Sequence, residues 1–173
     1  ENETTWYSVN QDAGASDWTT NKQAIDFSSV GGYDEDNEWD IYGAAIRHSS
    51  AGYDMLFCEQ AANTISASTK YKVTVTMRSD FSSSGDEAIF YIGIGSDDSV
   101  DHTDASVFVE GTNKKTLVGN VDGDGTHSFF ITTKSSVTDE NTIAIRAKGT
   151  FRIHEIEVEG PIVENGVEMS STH

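Results

Sequence analysis

Apolar and polar residues alternate along much of the chain, and the pattern is clearest between Ile65 and Asp80. Successive side chains of a β-strand point to opposite faces, so this alternation predicts a strand with one buried and one solvated face. Hydroxyl residues before the segment and a Ser-Gly-Asp loop after it predict turns at both ends. The apolar positions are Tyr71, Val73, Val75 and Met77.

Shorter segments with strand-like composition recur through the rest of the chain, separated by turn signals rich in Gly, Asp, Asn and Ser. No segment keeps a helical period for more than two turns. Roughly nine to eleven short strands with turns at this spacing are typical of an antiparallel β-sandwich, here of jelly-roll type. The sequence therefore predicts an all-β fold, with strands at 39–47, 53–60, 70–80, 88–95, 105–110, 116–119, 126–133, 141–148 and 150–159.

In the last of these segments, Thr150–Glu159, the apolar residues shift from odd-numbered to even-numbered positions. Phe151 and Ile153 lie on one face of a regular strand, whereas Ile156 and Val158 would lie on the other. One extra residue at His154-Glu155 brings all four to the same side. We therefore predict a β-bulge at that position.

The chain length fits one domain, predicted at residues 1–160. Residues 161–173 lack a strand pattern and are predicted to be a linker or appended tail. Cys58 is the single cysteine and is expected to pack as a small core residue. No apolar stretch is long enough to cross a bilayer. Because the first residue is Glu1 and not Met, we expect a processed or excised piece; we also expect it to be part of a larger multidomain protein.

The formal net charge is −18, from 29 acidic and 11 basic residues. Nucleic acid is an unsuitable partner, because its phosphates would be repelled. The negative electrostatic field that this charge creates is compatible with neutral ligands and with cations. Excess carboxylate can reflect solubility, adaptation to salt or a dedicated cation site.

Three segments resemble carbohydrate-binding modules of the β-jelly-roll type that are attached to xylanases and cellulases, within the galactose-binding-like group. Tyr53–Gln60 has an aromatic start and a glutamine end, Ser68–Val73 is similar to the family's turn-then-Tyr strand entry, and Thr150–Val158 is similar to its closing strand. The resemblance implies a jelly roll and non-catalytic binding of a polysaccharide or glycan. It also implies an extracellular or cell-surface location.

Calcium is the one cofactor that the resemblance implies, in a structural role. The family's closing strand carries a pair of aspartates for that ion where this chain has His154 and Glu155. Because calcium prefers oxygen ligands, Glu155 is the candidate there. Asp122 and Asp124 are further candidates, since Asn120–Gly125 matches the start of an EF-hand loop; its twelfth position, however, is Ile131, which favours a simple turn.

The candidate glycan site lies on a concave sheet face. We expect Arg78 and Tyr91 to project there over a floor left open by Gly93 and Gly95. Planar polar side chains hydrogen-bond to sugar hydroxyls, and aromatic rings stack on sugar C–H surfaces. The alternative is that Arg78 pairs with a surface carboxylate and that Tyr91 packs under a loop.

Four further residues are candidates for the same site. Glu59 and Gln60 end the strand at 53–60 and could supply hydrogen bonds. Tyr53 and Trp39 are candidate aromatic contacts, and Trp39 is expected to be exposed because it follows an acidic loop. Most aromatic residues of a sandwich nevertheless belong to its core.

The sequence contains no nucleophile elbow, zinc-binding HExxH motif or phosphate loop. The predicted function is therefore a non-catalytic carbohydrate-binding module rather than an enzyme; a jelly-roll polysaccharide lyase or hydrolase is the enzymatic alternative. A second alternative is a structural or adhesion domain of a cell-surface or virus-particle protein that binds no sugar. Sandwich folds host both kinds of role.

Overall fold

The structure is a computed structural model that describes residues 5–9, 39–42, 45–59, 65–94, 102–137 and 142–162. Every pair of strands in these ranges is antiparallel, which confirms the all-β prediction. Among the described residues, no helix is long and apolar enough to span a membrane. The elements are β1 (Thr5–Val9), β2 (Trp39–Tyr42), β3 (Ala45–Glu59), β4 (Lys70–Arg78), β5 (Glu87–Ile92), β6 (Lys114–Val118), α1 (Gly119–Asp122), β7 (Gly125–Thr132) and β8 (Thr142–Glu159).

The 18-residue strand β8 is the centre of the sheet. Its first half pairs with β5 on one side and with the second half of β3 on the other. Its second half pairs with β4 on one side, and with the start of β3 and then β1 on the other. Strands β6, β7 and β2 extend the sheet from β5, β4 and β3.

The two halves of the sheet also pack against each other. The rings of Phe90 on β5 and Phe129 on β7 have centroids 5.3 Å apart, although these strands are not hydrogen-bonded neighbours. One continuous core contains the inward side chains of both halves, including Tyr71 and Ile145. The sandwich and jelly-roll descriptions of this arrangement stay predictions.

The strand predicted between Ile65 and Asp80 is β4, and its burial alternates as the pattern requires. The β-bulge predicted in the closing strand is also confirmed. Thr76 pairs with Glu155 and Met77 with Ile153, so His154 is the extra residue. The four apolar positions around it are all buried: Phe151, Ile153, Ile156 and Val158.

Two predicted strands are wrong. The segment 39–47 is a hairpin of β2 with the start of β3, and β3 then continues through 53–59. Residues 105–109 form turns, because Asp104 accepts hydrogen bonds from the backbone N–H of Ser106 and of Phe108. The Cys58 side chain and residues 163–173 lie outside the described residues.

Candidate functional site

The predicted pairing of Arg78 with Tyr91 on one open face is wrong. Tyr91 is only 1% exposed, because residues 102–108 cover β5. Its hydroxyl donates to the backbone oxygen of His102 at 3.1 Å, and its ring packs edge-on against Phe108. Arg78 is exposed at the end of β4, on the face opposite the core.

The predicted glycine floor is filled by the protein itself. A Cβ atom at Gly93 would lie 2.9 Å from Cγ1 of Val137, so the missing side chain makes room for that valine. Gly95 lies outside the described residues. No open ligand surface therefore remains at Gly93.

Trp39 was predicted to be exposed, and this is also wrong. The β2–β3 hairpin turns its ring into the core, where 3% of the residue is exposed. Trp39 lies opposite His48 in the hairpin, and their rings meet edge-on at 5.0 Å. Both belong to a packed cluster with Phe151.

A buried His-Asp pair lies beside Trp39, and the sequence analysis did not find it. His48 Nε2 lies 2.8 Å from Asp54 Oδ2, and His48 Nδ1 lies 2.7 Å from the backbone oxygen of Gly149. Because a carbonyl oxygen only accepts, Nδ1 donates the hydrogen bond to the Gly149 oxygen. The pair ties β3 to β8. It is closed to solvent.

Tyr53 is the candidate aromatic residue that does reach the surface, with 37% exposed. Its hydroxyl donates to Glu87, and the guanidinium of Arg146 lies 3.6 Å from its ring centroid. Burial and the hydrogen bond to Glu87 raise the pKa of Tyr53, and the hydrogen bond to Tyr53 raises that of Lys148. Neighbouring protein groups thus already engage the Tyr53 side chain. The Glu59 side chain and all of Gln60 lie outside the described residues.

The carboxylates of the predicted calcium turn bind backbone groups. Asp122 accepts from the backbone N–H of Val118 at 2.7 Å, and Asp124 accepts from that of Phe81 at 3.1 Å. No group of three or more metal-binding side chains occurs within the described ranges. Calcium binding, including a role for Glu155, stays a prediction.

A polar groove of about 600 Å³ opens where β3, β8 and the β4–β5 loop meet. Asp86 holds that loop, because its carboxylate accepts from the backbone N–H groups of Ser82 and Ser83. Asp86 itself packs against Gly149, whose φ is +97°. The groove is lined by Ser49, Ser50, Ala51, Asp80, Ser82, Ser83, Asp86, Gly149 and Thr150.

The outer surface of β7, β4 and β8 presents a regular array that we call the ladder face. It consists of three cross-strand rows, each with one residue from every strand. Two rows contain hydroxyl pairs whose oxygens lie 3.0 Å apart. The rows are Thr126–Thr76–Glu155, Ser128–Thr74–Glu157 and Phe130–Lys72–Glu159.

The two edges of the ladder face differ in chemistry. At the β7 edge, Phe130 is 48% exposed, and the ammonium of Lys70 lies 4.8 Å from its ring centroid. At the β8 edge, three carboxylates stand side by side. The hydrogen bond to Glu159, together with partial burial and repulsion by Glu159 and Glu155, raises the pKa of Glu157.

A row of arginines continues the ladder face beyond Thr76. Arg78 on β4 lies opposite Arg152 on β8, which lies opposite Arg47 on β3. His154, at the bulge, has two buried ring nitrogens without a hydrogen-bond partner among the described residues. Its pKa is lowered by burial and then by the charges of Arg78 and Arg152, against a small opposite effect of Asp124.

Two comparisons of the sequence with known proteins give no further guide to this surface. No protein-family model matches the chain, and no curated protein is similar to it in sequence. The likeness to jelly-roll carbohydrate-binding modules therefore depends on the three segments in which it was recognised.

Proposed function

We propose that this domain binds a glycan on the ladder face and does not cleave it. The supporting observation is the register of β7, β4 and β8, which aligns hydroxyl, ammonium and carboxylate groups in rows beside an exposed phenylalanine. Arg78, which like Tyr53 is an exposed candidate binding residue, lies at one end of this array.

The chemistry of the rows suits a sugar. Hydroxyls of Thr and Ser donate and accept hydrogen bonds, carboxylates accept, and the Lys72 ammonium donates, so each kind of sugar hydroxyl finds a partner. Phe130 offers an apolar surface to sugar C–H groups. Because these side chains extend from paired strands, they are held in place before the ligand arrives.

An extracellular or cell-surface location within a larger multidomain protein belongs to the same proposal. Such a domain would keep a neighbouring domain close to its polymer. A formal charge of −18 is compatible with a neutral ligand and opposes nucleic acid.

The alternative, a structural or adhesion domain without a sugar ligand, calls for an exposed apolar patch. The large apolar side chains that are exposed in the described part of the chain come from four separate segments. They are Tyr53, Val109, Val121 and Phe130. This distribution gives the adhesion hypothesis less support than the ladder face gives to glycan binding.

A glycan array, probed with and without millimolar calcium, tests the proposal. We expect binding to one class of glycan, weakened about tenfold in Phe130→Ala, which corresponds to ~1.4 kcal/mol. Thr76→Val, which removes a row hydroxyl, should also weaken binding. Val121→Ala is the control, because Val121 is exposed on α1 and belongs to none of the three rows.

Two outcomes would contradict the proposal. Absence of binding to every glycan in both conditions would favour the adhesion domain. Equal affinities of Phe130→Ala and Val121→Ala would place any glycan site elsewhere on the protein. Retention of the fold in each variant is checked by circular dichroism.

A further inference from the structure

The polar groove lies on the same outer surface as the ladder face. Ser49 on β3 pairs with Thr150 on β8, two residues beyond the pair of Arg47 and Arg152. The intervening residue of each strand is buried, so Ser49 and Thr150 point outwards as the arginines do. Both line the groove. The groove therefore continues the ladder face beyond the arginine row, at a spacing of about 6.6 Å for two residues of strand.

A side-chain bridge crosses β8 at the far end of the groove. Strands β3 and β5 flank β8 there, and the Tyr53 hydroxyl on β3 donates to Glu87 on β5. Lys148 of β8 contacts both, with its Nζ 3.8 Å from Glu87 Oε1 and 4.9 Å from the ring centroid of Tyr53. Lys148 directly precedes Gly149, which lines the groove. A ligand that lies along β8 from the ladder face would therefore meet this bridge and end in the groove.

The chemistry of the groove suits a sugar residue. Among the described residues that line it, the polar side chains carry only hydroxyl and carboxylate groups. Hydroxyls donate and accept hydrogen bonds, and carboxylates accept them, so the lining matches a ligand that has several hydroxyls of its own. The volume of about 600 Å³ lies within the range of ~300–1,000 Å³ that is usual for small-molecule sites. No third metal-binding side chain joins Asp80 and Asp86 in the described ranges, so the lining fits a metal ion less well.

Asp86 provides a buried acceptor in the groove. The residue is only 6% exposed, and its Oδ2 accepts from the backbone N–H groups of Ser82 and Ser83. Its other oxygen, Oδ1, has no hydrogen-bond donor among the described residues. Oδ1 lies against Gly149, where the Cβ atom of any other residue would overlap it, and both Asp86 and Gly149 line the groove. A carboxylate oxygen at a buried position is costly unless a donor reaches it, and the groove gives a ligand hydroxyl access to this one.

We propose that the groove binds the terminal sugar of a neutral glycan, with a sugar hydroxyl donating to Asp86 Oδ1, while the preceding sugars lie along the ladder face. This inference rests on the proposed function and deepens it, because the domain then recognises the end of a polysaccharide chain. The rows of the ladder face by themselves would accept any segment of a chain. The bridge between Tyr53 and Glu87 adds the requirement for an end.

The number of domains bound to each glycan chain tests this inference. The probes are linear neutral oligosaccharides of glucose, xylose and mannose, each as trimer, hexamer and dodecamer, and titration calorimetry gives the stoichiometry. Recognition of an end predicts one domain per chain at every length, because each chain has one end of a given kind. Binding to internal segments predicts more than one domain on the dodecamer.

Two variants assign the chain end to the groove. Asp86→Asn keeps one oxygen for the backbone N–H groups of the loop but replaces Oδ1 by an amide nitrogen, which only donates. Ser49→Trp fills the groove and leaves Asp86 in place. Each should weaken binding about tenfold or more, as expected for the loss of a hydrogen bond to a charged group. Asp104→Asn is the matched control, because its carboxylate also accepts from a backbone N–H in a turn, that of Ser106, and lines neither the groove nor the ladder face. Thermal unfolding checks that the three variants are folded.

The outcomes separate this inference from the proposed function. If the number of bound domains rises with chain length while Phe130→Ala weakens binding, the ladder face binds glycan and the inference about the groove is wrong. The inference is also wrong if Asp86→Asn and Ser49→Trp bind as tightly as Asp104→Asn. If none of the oligosaccharides binds, both proposals fail.

Discussion

The buried pair of His48 and Asp54 should be a major contributor to stability. His48→Leu removes the hydrogen-bond partners of the Asp54 side chain and of the Gly149 carbonyl, both in a region closed to solvent. Removing one partner of a buried pair costs about 3–5 kcal/mol, because the other partner keeps its desolvation penalty. A domain of ordinary stability has about 5–15 kcal/mol in total, so the loss would range from about a fifth of the free energy of unfolding to all of it.

The assay is urea unfolding followed by circular dichroism. We expect a lower midpoint for His48→Leu with an unchanged slope, since the surface exposed on unfolding stays the same. The double variant His48→Leu/Asp54→Leu should recover much of the loss, because replacing both partners by apolar residues leaves no buried charge. With the single variant Asp54→Leu measured as well, the comparison forms a double-mutant cycle.

The adjacent residue provides the matched control. Arg47 pairs with Asp40 across the same hairpin, but these side chains are 32% and 48% exposed. Such pairs contribute about 0–1 kcal/mol, so Arg47→Gln should hardly move the midpoint. The reasoning is refuted if His48→Leu is no more destabilising than Arg47→Gln, or if the double variant is less stable than His48→Leu.

Two further predictions concern the bends of β8. Gly149→Ala should destabilise the domain by more than about 1 kcal/mol, because φ is +97° and a Cβ atom would lie 2.8 Å from the Cα of Asp86. Thermal unfolding measures this loss, and an unchanged midpoint would contradict the prediction. The lowered pKa of His154 means that the unfolded chain binds a proton at higher pH than the folded chain, so this residue reduces stability as the pH falls through 6.5. His154→Gln should therefore show a smaller loss of urea midpoint between pH 7.5 and 5.5 than the wild type, and parallel losses would refute this assignment.

Local patterns in the sequence were sufficient to predict those features of the fold that depend only on neighbouring residues. The alternation in β4 and the parity change at His154 are properties of single segments, so the strand and the bulge could both be predicted. The burial of a residue by segments distant in the sequence could not be predicted in this way. Tyr91 follows the strand pattern, but the segment that covers it was predicted to be a strand at 105–110, whereas the structure has turns there.

The candidate site depends on register, which short-range patterns do not define. The outward positions of β4 were clear from the sequence, but their partners on β7 and β8 were not. The same holds for the contact between His48 and Gly149, which joins residues 101 positions apart. Trp39 was misjudged because an acidic segment precedes it, whereas its hairpin partner His48 determines its burial.

The central position of β8 has a consequence for folding during synthesis. This strand is the last one described in the chain, yet it pairs with β1, β3, β4 and β5. Most of the sheet must wait for residues 142–159 to leave the ribosome, and contacts between distant residues slow folding. Until then the earlier strands keep unpaired edges, which are sites of aggregation. The abundant negative charge of the chain would keep such emerging intermediates apart.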